Sequence, residues 1–477
     1  METYEFSKKI QSDFCGKNLS NHWWMLSIWE FLISKLNLKE LLNELIKQNC
    51  NPKKVKYKQK DVIFQKIVAI IAWYTTDNSE KYFKNDLVFK ELLWEIIPKT
   101  TVNRITNTFL WTIENALKKT IKEIELYNIS ISNTKSVIID IDTSFDPASQ
   151  NIWWVKFNKH YATFCFSPIF AVNSLTWDII KWELRPWNWS CSRGVVKFIS
   201  SIVEMYKNKK INTIMRFDSG FGKSELYEYL EKNWVKYVVK LKKNNSLLKK
   251  AKEVLDIFYL KPWTNKVIEF KYKASSWEKE RRIICSIDWI STEIEVSKKD
   301  KRNKTGAKQT TLEMNFSFIV TNNNILKSEE VLSLYNWRAT VETVIEEAKN
   351  WFWIHKLSHK KFEVNKSVFQ IHLLAMQTLQ LYRKFSIWVK KDELGIVKTY
   401  SEKEYDGKFN WIKKIGRKLI SMPTIQTIRK TLLEIPTSIR KWQRMVYFQF
   451  ERTFWWKEMY IKLMNRLRKL PKLIIST

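Results

Sequence analysis

The chain has 477 residues, with 83 Lys and Arg against 49 Asp and Glu, a formal net charge of +34. Its 45% apolar and 14% aromatic content can bury a substantial core, which excludes a disordered tail. The length calls for about two to four domains, and the charge favours a nucleic-acid or other anionic partner over a small metabolite.

Residues 1–130 read as helical. Leucine and isoleucine recur at helical spacing from Leu32 to Ile46, and Val62 to Ala72 and Val102 to Ile124 do likewise. Pro98, followed by Thr100 and Thr101, marks a break and a helix start. No apolar run reaches the roughly 18 residues of a membrane span; the nearest, Val62 to Tyr74, is interrupted by Gln65 and Lys66. Met1 to Lys9 lacks the apolar region of a signal peptide. Five scattered cysteines without a C-x-x-C pair argue against zinc or a disulfide framework, so a cytoplasmic protein is expected.

From residue 136 the pattern changes. Ser136 to Asp142 is a β-branched run ending in acids, and Tyr161 to Val172 and Asp178 to Leu184 are two more strand candidates. Val195 to Tyr206 predicts a helix capped by Ser190 or Ser192. Ile211 to Phe217 predicts a strand ending at Asp218, Lys223 to Lys232 a helix, and Val235 to Leu241 a strand. Three strands, helix, strand, helix, strand is the order of a ribonuclease-H-like core. Residues 243–315 interrupt it with Lys-rich, alternating segments that predict a mainly β insertion, and Phe316 to Thr321 returns to the core. A long helix is expected over Ser328 to Trp351, another over Val364 to Phe385, and a basic, mostly helical region over 386–477.

Asp142 ends the first core strand, with Asp140 on the same face by alternation, and Asp218 follows another strand. Carboxylates at strand ends can converge on hard divalent cations, which activate an attacking oxygen and stabilise a leaving one in phosphodiester chemistry. Tyr335, Arg338, Glu342 and Lys349 are spaced Y-x2-R-x3-E-x6-K. At about 100° per residue they share one helix stripe about 60° wide. An aromatic, two cations and an acid make poor core and suit a metal-binding carboxylate flanked by phosphate contacts. Glu346 falls on the same stripe and is the rival acid. A solvated face with ion pairs such as Arg338–Glu342 is the plainer reading.

This spacing resembles the signature of DDE transposases of the insertion-sequence-4 superfamily, and the wider chain resembles its insertion-sequence-1380 group. The resemblance rests also on Asp140-Ile-Asp-Thr143, Asn158-Lys-His-Tyr161, Leu184-Arg-Pro-Trp-Asn188, Arg216-Phe-Asp-Ser-Gly-Phe221 and Arg440-Lys-Trp-Gln-Arg444, and covers roughly residues 20–450. It implies a catalytic, metal-binding triad of Asp142, Asp218 and Glu342, holding two Mg²⁺ ions, with Mn²⁺ as the alternative. Asp142 is preferred to Asp140 because the family's first acid precedes a small or hydroxyl residue, here Thr143. Tyr335, Arg338 and Lys349 would contact DNA phosphates.

The implied reaction is nicking at the ends of the protein's own element, then attack of the freed 3′-hydroxyl on target DNA. The implied partner is double-stranded DNA, both terminal inverted repeats and target, with a homodimer in the complex and no membrane. The organisation that follows is an α/β chain. It has a helical DNA-binding domain (1–130), a ribonuclease-H-like core in two parts (131–242 and 316–385), a β-rich insertion subdomain (243–315), and a basic helical C-terminal region (386–477). A catalytically inactive DNA-binding derivative and another ribonuclease-H-like nuclease are the competing readings.

Basic clusters around Lys236 to Lys252, Arg440 to Arg444 and Arg466 to Lys469 fit a DNA track. His355 and His359, four apart, lack a third ligand. The chain holds 24 Trp but only 8 Gly, and the two counts together come close to the roughly 33 glycines that average usage predicts. Trp177, Trp187, Trp234 and Trp351 stand where turns and helix ends call for glycine. Many Trp are therefore expected to be UGA codons from a lineage that reads UGA as Gly; an aromatic DNA-stacking surface is the alternative.

Overall fold

The computed structural model describes, apart from isolated positions, residues 56–255, 266–295 and 308–384, with shorter stretches between 3 and 46, at 437–450 and at 465–474. Two short strands, β1 (Thr3–Ser7) and β2 (Ile10–Asp13), precede the expected helices, and β3 (Leu19–Ser20) follows them. The helices are α1 (Met25–Glu30), running into a π-helical turn, α2 (Leu38–Leu45), α3 (Gln59–Ile71), α4 (Ser79–Asn85), α5 (Leu87–Leu92), α6 (Lys99–Thr106) and α7 (Trp111–Ser132). Pro98 is the N-cap of α6, as expected. The run from Val102 to Ile124 is two helices, because the Thr108 hydroxyl donates back to the Ile105 carbonyl and closes the end of α6.

The central elements are β4 (Ser136–Thr143), β5 (Asp146–Pro147), β6 (Lys156–Asn158), β7 (Thr163–Phe166), β8 (Ile169–Asn173), β9 (Asp178–Glu183), α8 (Val195–Asn208), β10 (Asn212–Phe217), α9 (Ser224–Lys232) and β11 (Lys236–Leu241). The expected strand from Tyr161 to Val172 divides at Ser167-Pro168, where proline cannot donate to a ladder. Its first half joins a small sheet ordered β5-β7-β6 and its second half the main sheet. The cap of α8 is Gly194, at φ 71°, rather than Ser190 or Ser192.

Next come α10 (Asn245–Val254), β12 (Lys266–Tyr272), β13 (Arg281–Glu295), β14 (Lys308–Thr321), α11 (Ser328–Asn336), α12 (Thr340–Phe352), α13 (Phe362–Tyr382), β15 (Thr437–Trp442) and β16 (Met445–Phe450). The main sheet has eight strands in the order β12-β13-β14-β11-β10-β4-β8-β9. β4, β10 and β11 run parallel and the outer pairs antiparallel, so the fold is mixed α/β. β14 pairs with β13 along its length and with β11 through Phe318–Thr321, so the segment after residue 243 extends the core sheet itself. The C-terminal region is not purely helical: β15 and β16, rich in β-branched and aromatic residues, form a hairpin that pairs with β3. Residues 385–436 lie outside the described residues.

Alternation along β4 divides its side chains between two cores. Val137, Ile139 and Ile141 pack with α8 and α9 on one face. Ile138 packs with Val331 and Leu334 of α11 on the other, which places Asp140 and Asp142 on that same side. The helix expected over Ser328 to Trp351 is interrupted by a 3₁₀ turn, Trp337–Ala339, between α11 and α12. Among the described residues no helix is long and apolar enough to cross a membrane.

A polar network ties α7 to β9 and the end of α13. Tyr206 donates to Glu125 at 2.9 Å, Asn128 donates to both Glu125 and Asp178, and Lys384 pairs with Asp178 at 3.4 Å. Burial, and then Asp178, push the Glu125 carboxyl up to about 7. The folded state therefore keeps this proton after the unfolded chain has lost it, and stability falls as pH rises from about 4.5 through about 7. Denaturant unfolding should show Glu125→Gln gaining on the wild type steadily across that window. A constant offset between the two curves would contradict the assignment.

Candidate active site

β4 and β10 are parallel neighbours, with Asp140 opposite Arg216. Arg216 Nε donates to Asp140 Oδ1 at 2.5 Å and Nη2 to Oδ2 at 2.6 Å; Nη2 also donates to Ser174 Oγ at 2.7 Å, and Nη1 to the Leu334 carbonyl. The Ser174 hydroxyl completes the pair by donating to Asp140. Both charged side chains are buried, at 1% and 0% exposure. Asp140 is thus fully engaged inside the protein.

Two residues further along each strand stand the other acids. Asp142, near the end of β4, accepts the Thr143 N–H at 2.8 Å and pairs through the same oxygen with Arg338 Nη2 at 2.8 Å. Asp218 follows β10 and caps the 3₁₀ turn Ser219–Phe221. Tyr335, the residue after Leu334, donates its hydroxyl to Asp218 Oδ1 at 3.4 Å. Burial pushes the Asp142 carboxyl up to about 6; Arg338 and the Thr143 N–H oppose the rise, and Asp218 and Glu342 add to it. Asp142 therefore feels the charge of both other acids. Burial works against the Arg338 cation, but Asp142, Tyr335, Asp140 and Asp218 together outweigh it and hold the guanidinium above its ordinary value. Burial, together with Asp218, raises the Tyr335 phenol to about 12, so it remains a donor.

The 3₁₀ turn changes how Y-R-E-K is presented. Tyr335 ends on α11, Arg338 lies in the turn, and Glu342 occupies the first turn of α12 with an exposed side chain. Glu346 is exposed one turn on. Lys349 reaches past β4 to the following loop: its ammonium donates to Ser144 Oγ at 2.6 Å and to the Phe145 carbonyl at 2.9 Å, and lies 3.9 Å from Asp146. Tyr335 contacts Asp218, Arg338 contacts Asp142, Glu342 acts on Asp142 through space, and Lys349 reaches the loop beyond.

Other sequence features fall into place around these residues. Arg185 donates to the carbonyls of Ser167 and Arg193 and so braces the approach to α8. Lys242, Lys243, Lys249, Lys250 and Lys252 are exposed at the end of β11 and along α10. His359 Nδ1 lies 3.0 Å from the Asn107 side-chain oxygen, which accounts for it without a metal. His160, Tyr161 and the side chains of Arg440, Lys441 and Arg444 lie outside the described residues. Arg216, Ser174 and Asp146 were not singled out by sequence. An arginine in an apolar strand, two residues before an acid, is the signal that could have drawn attention to Arg216.

Residues 2–394 match the family described as Transposase DDE domain group 1. The chain belongs to that family. A solved structure, the cryo-EM structure of a piggyBac transposase synaptic complex with hairpin DNA, is similar at 10% sequence identity. The match covers 95% of this chain and 86% of that one, with a TM-score of 0.38. No curated protein sequence matches the chain.

DDE transposases use divalent metal ions. Among the described residues no three Asp, Glu, His or Cys side chains gather closely enough to hold one. The donor chemistry of Asp142, Asp218 and Glu342 nonetheless fits. All are hard oxygen donors, and Asp142 carries a desolvated charge, crowded by the other two acids, that a divalent cation would relieve. Arg338 meets part of that charge.

Asp140 and Asp142 should respond differently to substitution. Asp140→Ala strands Arg216 in the core and should cost about 3–5 kcal/mol. Asp142→Asn removes a desolvated charge whose burial cost exceeds the help it gets from Arg338, and should cost far less stability than Asp140→Ala. Urea unfolding of the two variants checks this contrast.

Proposed function

We propose that this DDE transposase is an active enzyme that cuts the ends of its own mobile element and joins them to target DNA, with Asp142, Asp218 and Glu342 as its catalytic triad. The observation that carries the proposal is the meeting of Asp142 and Asp218, at the carboxyl ends of adjacent parallel strands, with Arg338 and Tyr335. The strand order around β4, β10 and β11 supports a ribonuclease-H-like core, and the quoted motifs support the insertion-sequence-4 superfamily and its 1380 group. The helical residues 1–130 are assigned to terminal-repeat recognition, and the complex on DNA to a homodimer.

Asp142 takes the first position rather than Asp140, because Arg216 and Ser174 already consume both oxygens of Asp140. Asp142, Asp218 and Glu342 would hold two Mg²⁺ ions, or Mn²⁺ in their place. When bound, such ions activate the attacking oxygen and stabilise the leaving one. The chain's own groups orient the DNA. Arg338 has more donors than Asp142 can accept, and its Nε is buried without a partner, a donor left for a phosphate oxygen. Tyr335, held protonated, offers a hydroxyl beside Asp218, and Lys349 supplies charge on the other side of β4. The exposed lysines of α10 extend the phosphate track.

Linear DNA carrying the element's inverted repeats, incubated with the full chain and Mg²⁺, tests the proposal. Asp218→Ala should cut at least about 100-fold more slowly while still retarding the DNA on a gel. Full cleavage by that variant would reject the assigned mechanism. Retardation without cleavage by the wild type would favour the inactive derivative, and cleavage of branched DNA without preference for element ends would favour another nuclease.

A further inference from the structure

Asp146 is a buried carboxylate outside the proposed triad. It sits in β5, four residues after Asp142, with its side chain 1% exposed and neither oxygen in a hydrogen bond. Lys349 is the cation beside it, at 3.9 Å, and is already tied to Ser144 and Phe145 of the same loop. A buried acid lacking donors is costly, and such groups persist where they serve a site. Burial raises the Asp146 carboxyl to about 7 and Lys349 draws it back. The contact joins the loop leaving β4, which carries Asp142, to α12, which carries Glu342.

We propose that Asp146 is a positioning residue that anchors Lys349, and through it α12, against the loop that follows Asp142. The proposal rests on the functional reading above and assigns a residue that reading leaves unused. Asp146→Asn in the full chain should lower the cleavage rate at saturating repeat DNA about tenfold while leaving DNA affinity within about twofold. In the Lys349→Met background the same change should have no further effect, because the anchored group is gone. Multiplicative losses in the double variant would overturn the proposal. Should the wild type fail to cleave, the functional reading falls, and hydrogen exchange still decides the anchor. Amides of α12 should exchange faster in both single variants and no faster in the double; unchanged exchange in Asp146→Asn would overturn it.

An independent observation, in the backbone, concerns the tryptophans. Among the described residues eight non-glycine positions have positive φ, and five are tryptophan: Trp73 (63°), Trp154 (68°), Trp177 (60°), Trp234 (60°) and Trp353 (47°); the others are Asn37, Ala162 and Lys210. A bulky side chain is disfavoured there, and glycine is the residue that adopts this conformation freely. Two of the five close helices in the pattern that most often carries glycine. After α3, Trp73 N–H bonds to the Ile70 carbonyl and Tyr74 N–H to that of Ala69. After α9, Trp234 N–H bonds to Glu231 and Val235 N–H to Leu230. Trp177 ends the turn between β8 and β9; Trp234 is 88% exposed, so at that position neither conformation nor burial explains an indole. Trp187 and Trp351 are not left-handed; Trp351 lies within α12, and Trp353, just after it, is the left-handed residue.

We infer that residues 73, 154, 177, 234 and 353 are glycines in the natural protein, encoded by UGA and turned into tryptophan only by translation under a code that assigns UGA to tryptophan. The exposed indole at Trp154 is then no base-stacking element. The codons and the protein from its own cells decide the matter: UGA at these five positions, and peptides containing glycine at residues 177 and 234, are expected. UGG codons, or tryptophan in those peptides, would overturn the inference. The conformational basis has its own test. Trp234→Gly should raise Tm by about 2 °C or more above both the Trp and the Trp234→Ala chains, since alanine keeps the left-handed penalty. Equal Tm for Gly and Ala would remove that basis.

Discussion

Arg216 and Asp140 face each other on parallel strands in the middle of the sheet, and the positions of the other site residues follow from that pair. Removing two charges from water costs several kcal/mol per ion, which is offset only when nearly every donor and acceptor is used. Here Asp140 takes two guanidinium nitrogens and a serine hydroxyl, and the remaining guanidinium nitrogen holds the Leu334 carbonyl. The pair fixes the register of β4 on β10 and docks α11 onto both. Asp142 and Asp218 each follow a member of the pair by two residues, and Tyr335 follows Leu334 by one. Three groups of the site are thereby delivered to one end of the sheet by one buried interaction.

Around that fixed centre the charges are arranged in opposition. The chain carries a large positive surplus, yet acids stand together at the end of its central strands, where Asp218 and Glu342 add to the rise of the Asp142 carboxyl. Arg338 and Lys349 approach the end of β4 from the 3₁₀ turn after α11 and from α12, one on Asp142 and one on the loop beyond it. Such an arrangement suits a polyanion guided by the surface and cations drawn to the centre. The break between α11 and α12 lets these residues reach different partners, which a single straight helix would have kept in one stripe.

Much of this could be read from the sequence, because its strongest signals are local. β-branched runs ending in acids located β4 and β10, and the Y-R-E-K spacing located the helical acid. What could not be read depended on contacts between distant residues. Asp140 and Asp142 look equivalent by alternation, and only the guanidinium of Arg216, 76 residues away, separates them. The split at Ser167-Pro168 and the 3₁₀ turn at Trp337 arise from competition between local pattern and tertiary pairing. The strands after residue 243 looked like a separate unit because sequence shows their alternation and not the edge they extend. The glycine deficit was visible as a count, but only backbone dihedrals tell which tryptophans stand at left-handed turns, and they replace Trp351 with Trp353.

The acids divide between those proposed to form the cation site and the one that builds the scaffold. Calorimetric titration of the full chain with Mn²⁺ reads that division directly. Neutralising Asp142, Asp218 or Glu342 as Asn or Gln should weaken binding about tenfold or more, while Glu346→Gln leaves it unchanged. Undiminished binding in Asp142→Asn, or loss on neutralising Glu346 instead of Glu342, would contradict the assignment.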